Sequence, residues 1–141
     1  MGLDGHEIGP GVDLSGMNLS GANFSGVDFS GAKFIGADLS KSNLSNANLS
    51  GTNFTGANLT GADLSSASLF SADLYGAKLS GAKLSGTNFA NAELVGADFE
   101  GADIGGADFT GATFTKTEPI SGKSGREIPL KSTLWWRATH E

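Results

Sequence analysis

Large apolar residues recur at every fifth position from Leu14 to Phe114. The series holds for 21 consecutive positions: twelve Leu, eight Phe and one Ile. A second column sits two residues earlier, from Val12 to Ala112, and fifteen of its 21 members are Ala. A third sits two residues later, and fifteen of its members are Gly, from Gly16 to Gly111. Asp or Asn usually stands between the first two columns. Ser or Thr usually stands between the Leu/Phe and the Gly. The unit reads Ala, Asp/Asn, Leu/Phe, Ser/Thr, Gly.

A period of five excludes the two commonest regular elements. On an α-helix, five residues turn through ~500°, so the large residue would visit every face. A Gly every five residues would also cost ~1 kcal/mol each time. In one long strand, an odd period would send successive Leu to opposite faces. The spacing inside the unit resolves the conflict. Ala and Leu are two apart, so both point the same way from a short extended segment, and the Asp or Asn between them points away. Ser-Gly is turn material, because Gly accepts positive φ without a Cβ penalty. Each unit is then a short side and a corner, and repeated corners wind the chain into a polygonal coil. Leu and Phe fill its centre, and turns stack at ~4.8 Å.

The run GADLSSASLFSADLYGAKLSGAKLSGTNF, spanning residues 61–89, resembles the pentapeptide-repeat superfamily, with its consensus A(D/N)LXX. The resemblance covers residues 12–116 and is greatest to short, uninterrupted members of cyanobacterial type. It implies an all-β fold, a right-handed quadrilateral parallel β-helix with four pentapeptides per coil. Twenty-one units then make about five coils, a rod ~25 Å long at strand spacing.

Residues 1–11 offer Leu3, Ile8 and Pro10 as an N-terminal cap. Residues 117–141 leave the pattern and are expected to form a C-terminal cap or tail. Ser132 is placed to N-cap a short helix there, with Leu134, Trp135 and Trp136 as its apolar face. These three residues are candidates for a lid over the last coil or for a dimer contact.

Composition narrows the function. The 141 residues include 22 Gly but only three Pro, which excludes collagen. There is no Cys, hence no disulfide framework and no thiolate metal site. No apolar run approaches a membrane span. The first eleven residues lack the basic start and apolar core of a signal peptide, so a cytoplasmic location is the default expectation. The net charge of −6 disfavours direct nucleic-acid binding and anionic lipid. His6 and His140 are isolated at opposite ends, and no base is placed to activate a Ser. The sequence therefore points to a non-enzymatic protein without a cofactor or metal. Six N-x-S/T sequons, such as Asn18 and Asn53, fall out of the repeat grammar and are read as incidental.

The surface carries two candidate interaction features. Residues after Leu/Phe are nearly all small and polar. The bulky exceptions are Ile35, Phe70, Tyr75 and Val95; Ala90 lies one coil above Phe70. On a four-sided coil these five are expected to make one apolar ridge. The last coil carries a candidate acidic face: Glu93, Asp98, Glu100, Asp103 and Asp108. Lys78 is expected to stack under Asp98 and Lys83 under Asp103.

The leading expectation is a structural or interaction scaffold. Its partner would be another protein or a second copy, joined through the ridge or the C-terminal Trp pair. The alternative is a DNA-mimic inhibitor of DNA gyrase, a role known among quinolone-resistance members of the superfamily. Magnitudes weaken that alternative. Residues 12–116 hold ten acidic residues and five Lys, a net −5. A duplex ~25 Å long carries ~15 charges, at one per ~1.7 Å.

Overall fold

The structure, a computed structural model, describes residues 2–3 and 6–114. It opens with a small antiparallel hairpin. Strand β1 (Gly2–Leu3) pairs with β2 (His6–Glu7), Gly2 opposite Glu7 and Leu3 opposite His6. From there the chain coils. Parallel bridges join each residue between the Ala and Leu/Phe columns to the residue twenty further on. They run from Asp13–Lys33 to Glu93–Thr113 without interruption. One turn is therefore twenty residues: four pentapeptide sides.

Within one repeat every backbone N–H has an acceptor, which is what a buried coil requires. Residues 37–41 show the scheme. Ala37 N–H closes the preceding corner onto the Phe34 carbonyl at 3.0 Å. Asp38 donates to Met17 of the coil below at 2.9 Å, and Leu39 donates to Asn58 of the coil above at 2.7 Å. Lys41 donates upward to Thr60 at 2.9 Å. The remaining donor, Ser40 N–H, bonds the Oδ1 of Asp38 at 3.0 Å.

That last contact is why the column is Asp or Asn. Its side-chain oxygen satisfies the corner N–H two residues on, an Asx-type turn. Asn does this as well as Asp: Ser45 N–H lies 3.0 Å from Asn43 Oδ1. The residue after it takes positive φ, the left-handed conformation in which Gly is favoured. Five corners use another residue at φ 58–60°: Lys41, Asn46, Ser66, Ser71 and Asn91. At Gly56 the space beside the α-carbon is open, so φ alone calls for glycine.

The core is a single column of Leu, Phe and Ile flanked by Ala. From Leu14 to Phe109 every member of the large column is buried, most of them fully. Phe residues one coil apart stack with their rings nearly parallel: Phe34 on Phe54 at 4.9 Å and Phe89 on Phe109 at 5.0 Å between ring centres. Neighbours within a coil meet edge to face, as Phe24 with Phe29 at 5.1 Å. Both geometries suit the ring quadrupole. The first coil has larger inner residues, Val12, Met17 and Val27, where no coil lies beneath. They are half-buried and, with Ile8, pack against the core.

The inner column tolerates hydroxyls unevenly. Thr52 and Thr87 are buried, and their hydroxyls donate to the Leu49 and Leu64 carbonyls, both at 2.7 Å. Ser42 is equally buried, but its hydroxyl has no partner among the described residues.

Candidate functional surface

Four sides and four corners organise everything the rod presents to a partner. The Asp13 side carries Asp13, Lys33, Asn53, Asp73, Glu93 and Thr113 in successive coils. Next comes the Asn18 side, with Asp38, Asn58, Lys78 and Asp98 above Asn18. The Asn23 side continues with Asn43, Asp63, Lys83 and Asp103. The Asp28 side continues with Asn48, Ser68, Asn88 and Asp108.

Three large hydrophobics are exposed among the described residues: Ile35 (42%), Phe70 (44%) and Tyr75 (55%). All three stand on the two corners that border the Asp13 side. One corner stacks Ser15, Ile35, Thr55, Tyr75 and Val95; the other stacks Ser30, Ser50, Phe70, Ala90 and Thr110. Ala90 and Val95 are half-buried. The single ridge expected from sequence is divided. Thr55 separates Ile35 from Tyr75 in the stack. Phe70, Tyr75, Ala90 and Val95 form one group on adjacent coils, with Asp73 and Glu93 running between its two halves.

Asp73 and Glu93 are themselves distinctive. Among the described residues seventeen bridges join neighbouring coils, and theirs is the one that places like charges side by side. Elsewhere an acid stacks on an amide, a hydroxyl or a Lys. Directly opposed like charges on adjacent strands are unfavourable.

The expected acidic face is not one face. Glu93, Asp98, Asp103 and Asp108 pair downward with Asp73, Lys78, Lys83 and Asn88, one on each side of the rod. Acids five apart fall on successive sides when a turn holds four repeats. The five acids, with Glu100 at a corner, form a girdle. Lys78 under Asp98 and Lys83 under Asp103 are seated as expected. Leu134, Trp135 and Trp136 lie outside the described residues.

Four carboxyls, those of Asp28, Asp38, Asp63 and Asp108, are held below the ordinary Asp range. The Ser30 N–H, then its hydroxyl, lowers Asp28. The Ser40 hydroxyl, then its N–H, lowers Asp38. Thr110 acts on Asp108 in the same order as Ser40 on Asp38. Partial burial works against the shift at Asp63, but the hydrogen bonds of Ser65 and the charge of Lys83 outweigh it. These contacts belong to the corner geometry. Among the described residues no group of His, Cys, Asp and Glu is arranged to hold a metal ion, and no helix is long and apolar enough to cross a membrane.

Comparison with known proteins places the coil. The profile described as pentapeptide repeats (8 copies) matches residues 11–46, 47–86 and 77–115. No curated protein sequence matches the chain. Among solved structures, the chain is similar to HetL of the cyanobacterium Nostoc sp. strain PCC 7120, described as involved in heterocyst differentiation regulation. The TM-score is 0.72 and the identity 31%, over 79% of this chain and 50% of HetL. The chain thus spans about half the length of that relative. Rfr23 of the cyanobacterium Cyanothece 51142 gives a TM-score of 0.56 at 31% identity, covering 70% of this chain and 84% of Rfr23. QnrB1, a plasmid-mediated fluoroquinolone resistance protein, shares the fold at a TM-score of 0.53 and 19% identity, over 89% and 78% of the two chains.

Proposed function

The chain belongs to the pentapeptide-repeat family, whose fold is a right-handed β-helix, and on that premise we propose that it is a non-enzymatic interaction rod. Residues 12–116 form about five coils. The hairpin and Ile8 serve as the N-terminal cap; residues 117–141, the candidate C-terminal cap or dimer contact, lie outside the described residues. The working surface is the Asp13 side. One observation carries this reading: every exposed large hydrophobic among the described residues borders that side. Clustered apolar exposure marks contact sites, whereas scattered exposure does not.

Mimicry of duplex DNA has less support. Among the described residues acid stacks on acid at one bridge alone, Asp73 on Glu93, and Lys83 sits between Asp63 and Asp103 in one stack. The likeness to QnrB1 extends to the fold.

The test is capture of protein partners from the native host by the parent chain and by Phe70→Ser/Tyr75→Ser. The double variant is expected to lose the captured proteins while keeping its melting temperature. Identical capture by both chains would reject the Asp13 side as the working surface.

A further inference from the structure

The proposed working surface has an internal symmetry that names one partner. From bottom to top the Asp13 side reads Asp13, Lys33, Asn53, Asp73, Glu93, Thr113. Its positive charge is in the lower half and its adjacent negative charges are in the upper half. Apolar residues occupy both halves: Ile35 below, Phe70, Tyr75 and Val95 above.

Two copies laid side to side in opposite directions bring these halves together. The twofold axis must cross the side at one height, and charge selects it. With the axis on the coil of Asn53, Asp13 would oppose Glu93. With the axis on the coil of Asp73, that residue would oppose itself. Midway between them, Lys33 faces Glu93, Asn53 faces Asp73 and Asp13 faces Thr113. No like charges meet. The same axis sets Ile35 against Val95, Thr55 against Tyr75 and Ser50 against Phe70. Parallel rods would instead place Asp73, Glu93 and Lys33 each level with its own copy.

Resting on the interaction-rod reading, we propose that the Asp13 side is an isologous, antiparallel dimer interface, with Lys33 of each copy against Glu93 of the other. A C2 interface requires this kind of self-complementarity. The arrangement also accounts for the Asp73–Glu93 stack. That like-charge neighbour is unfavourable in one rod and becomes the acceptor for a cation from the second. The Asn23 side, opposite, is bordered by polar corners such as Ser20, Ser40 and Thr60 and Ser25, Ser45 and Ser65, and offers no apolar contact. The strip spans five coil steps, ~24 Å at strand spacing, and one rod side in width. That is at the low end of specific interfaces, so the dimer is weak and reversible.

Sedimentation equilibrium between about 5 and 500 µM tests the proposal, a range suited to interfaces of this size. The parent chain is expected to show reversible monomer–dimer association. Lys33→Glu is expected to weaken it at least tenfold, and Glu93→Lys likewise. The exchange variant Lys33→Glu/Glu93→Lys is expected to recover most of it, because the two charges meet only across an antiparallel interface. Circular dichroism confirms that each variant is folded, and Lys33→Ala with Glu93→Ala provides a milder pair. A parent chain that stays monomeric throughout would overturn the proposal. So would a dimer that none of these substitutions weakens, or one the exchange fails to restore. A monomer that still captures a host protein through Phe70 and Tyr75 would remove the dimer and leave the interaction-rod reading standing.

Discussion

The Asp13 side and the Asn23 side are opposite walls of the same coil. Their backbones carry the same ladder, with hydrogen bonds of 2.7–3.0 Å between coils. Behind both walls lie buried Leu, Phe and Ala. Outward they diverge. The Asn23 side stacks Lys83 between Asp63 and Asp103, and its corners are mostly Ser and Thr, joined in places as Ser25 to Ser45 at 3.1 Å. The Asp13 side stacks acid on acid between apolar corners. The inward columns therefore specify the rod, and the outward columns are free to specify partners. A solenoid separates the two tasks because each coil contacts only its neighbours.

Substitutions should respect that separation. The largest effect is expected from Leu64→Asp, in the middle of the core on the Asn23 side. A carboxylate there would be buried without a partner, costing at least about 5 kcal/mol and unfolding the rod on both sides. An unchanged melting temperature would mean that Leu64 is not inside. Ser42→Ala, on the same side, removes a buried hydroxyl that has no partner among the described residues. It should stabilise the fold by about 1 kcal/mol in thermal or denaturant unfolding. Acid should act through carboxyls that hold corner N–H groups. The carboxyls of Asp28, Asp38, Asp63 and Asp108 are lowered from 3.8 in the folded chain. The folded state thus holds fewer protons than the unfolded state in this window. Their contribution is complete above pH 3.8 and is lost as pH falls through the lower folded values. Asp38→Asn keeps the Oδ1 acceptor and should shrink the fall in melting temperature on acidification while changing little at pH 7. The smallest stability effect is expected from Phe70→Ser/Tyr75→Ser. These residues are exposed, so melting should shift little while binding is lost. A large fall in melting would place them in the fold and weaken the comparison.

Much of this architecture could be read from the chain. Leu or Phe at every fifth position, with Ala two before and Ser-Gly after, dictates a coil with an apolar axis. The period alone left the number of sides open. Four per turn came from resemblance, and the bridges from Asp13–Lys33 upward now carry it. The role of Asp and Asn was missed. They read as outward polar residues, whereas their Oδ1 atoms hold the corner N–H groups. A signal was present, since Asp and Asn share that oxygen and alternate freely. The acids of the last coil form a girdle and not a face because spacing by five advances one side at a time. Likewise the ridge was expected to be continuous. Thr55, on the coil between Ile35 and Tyr75, interrupts it.

Every side, corner and facing pair depends on residues twenty apart being neighbours. The chain has no Cys, so a single engineered pair reports this directly. Asn48→Cys/Ser68→Cys joins bridge partners on the Asp28 side, at a separation of ~4.8 Å that suits a disulfide. Mild oxidation followed by mass spectrometry is expected to show rapid, near-complete cross-linking of this pair. Asn48→Cys/Asp63→Cys and Asn48→Cys/Asp73→Cys, on other sides, should stay reduced. Preferential cross-linking of either control would contradict the four-sided coil, and with it the surface assigned to binding.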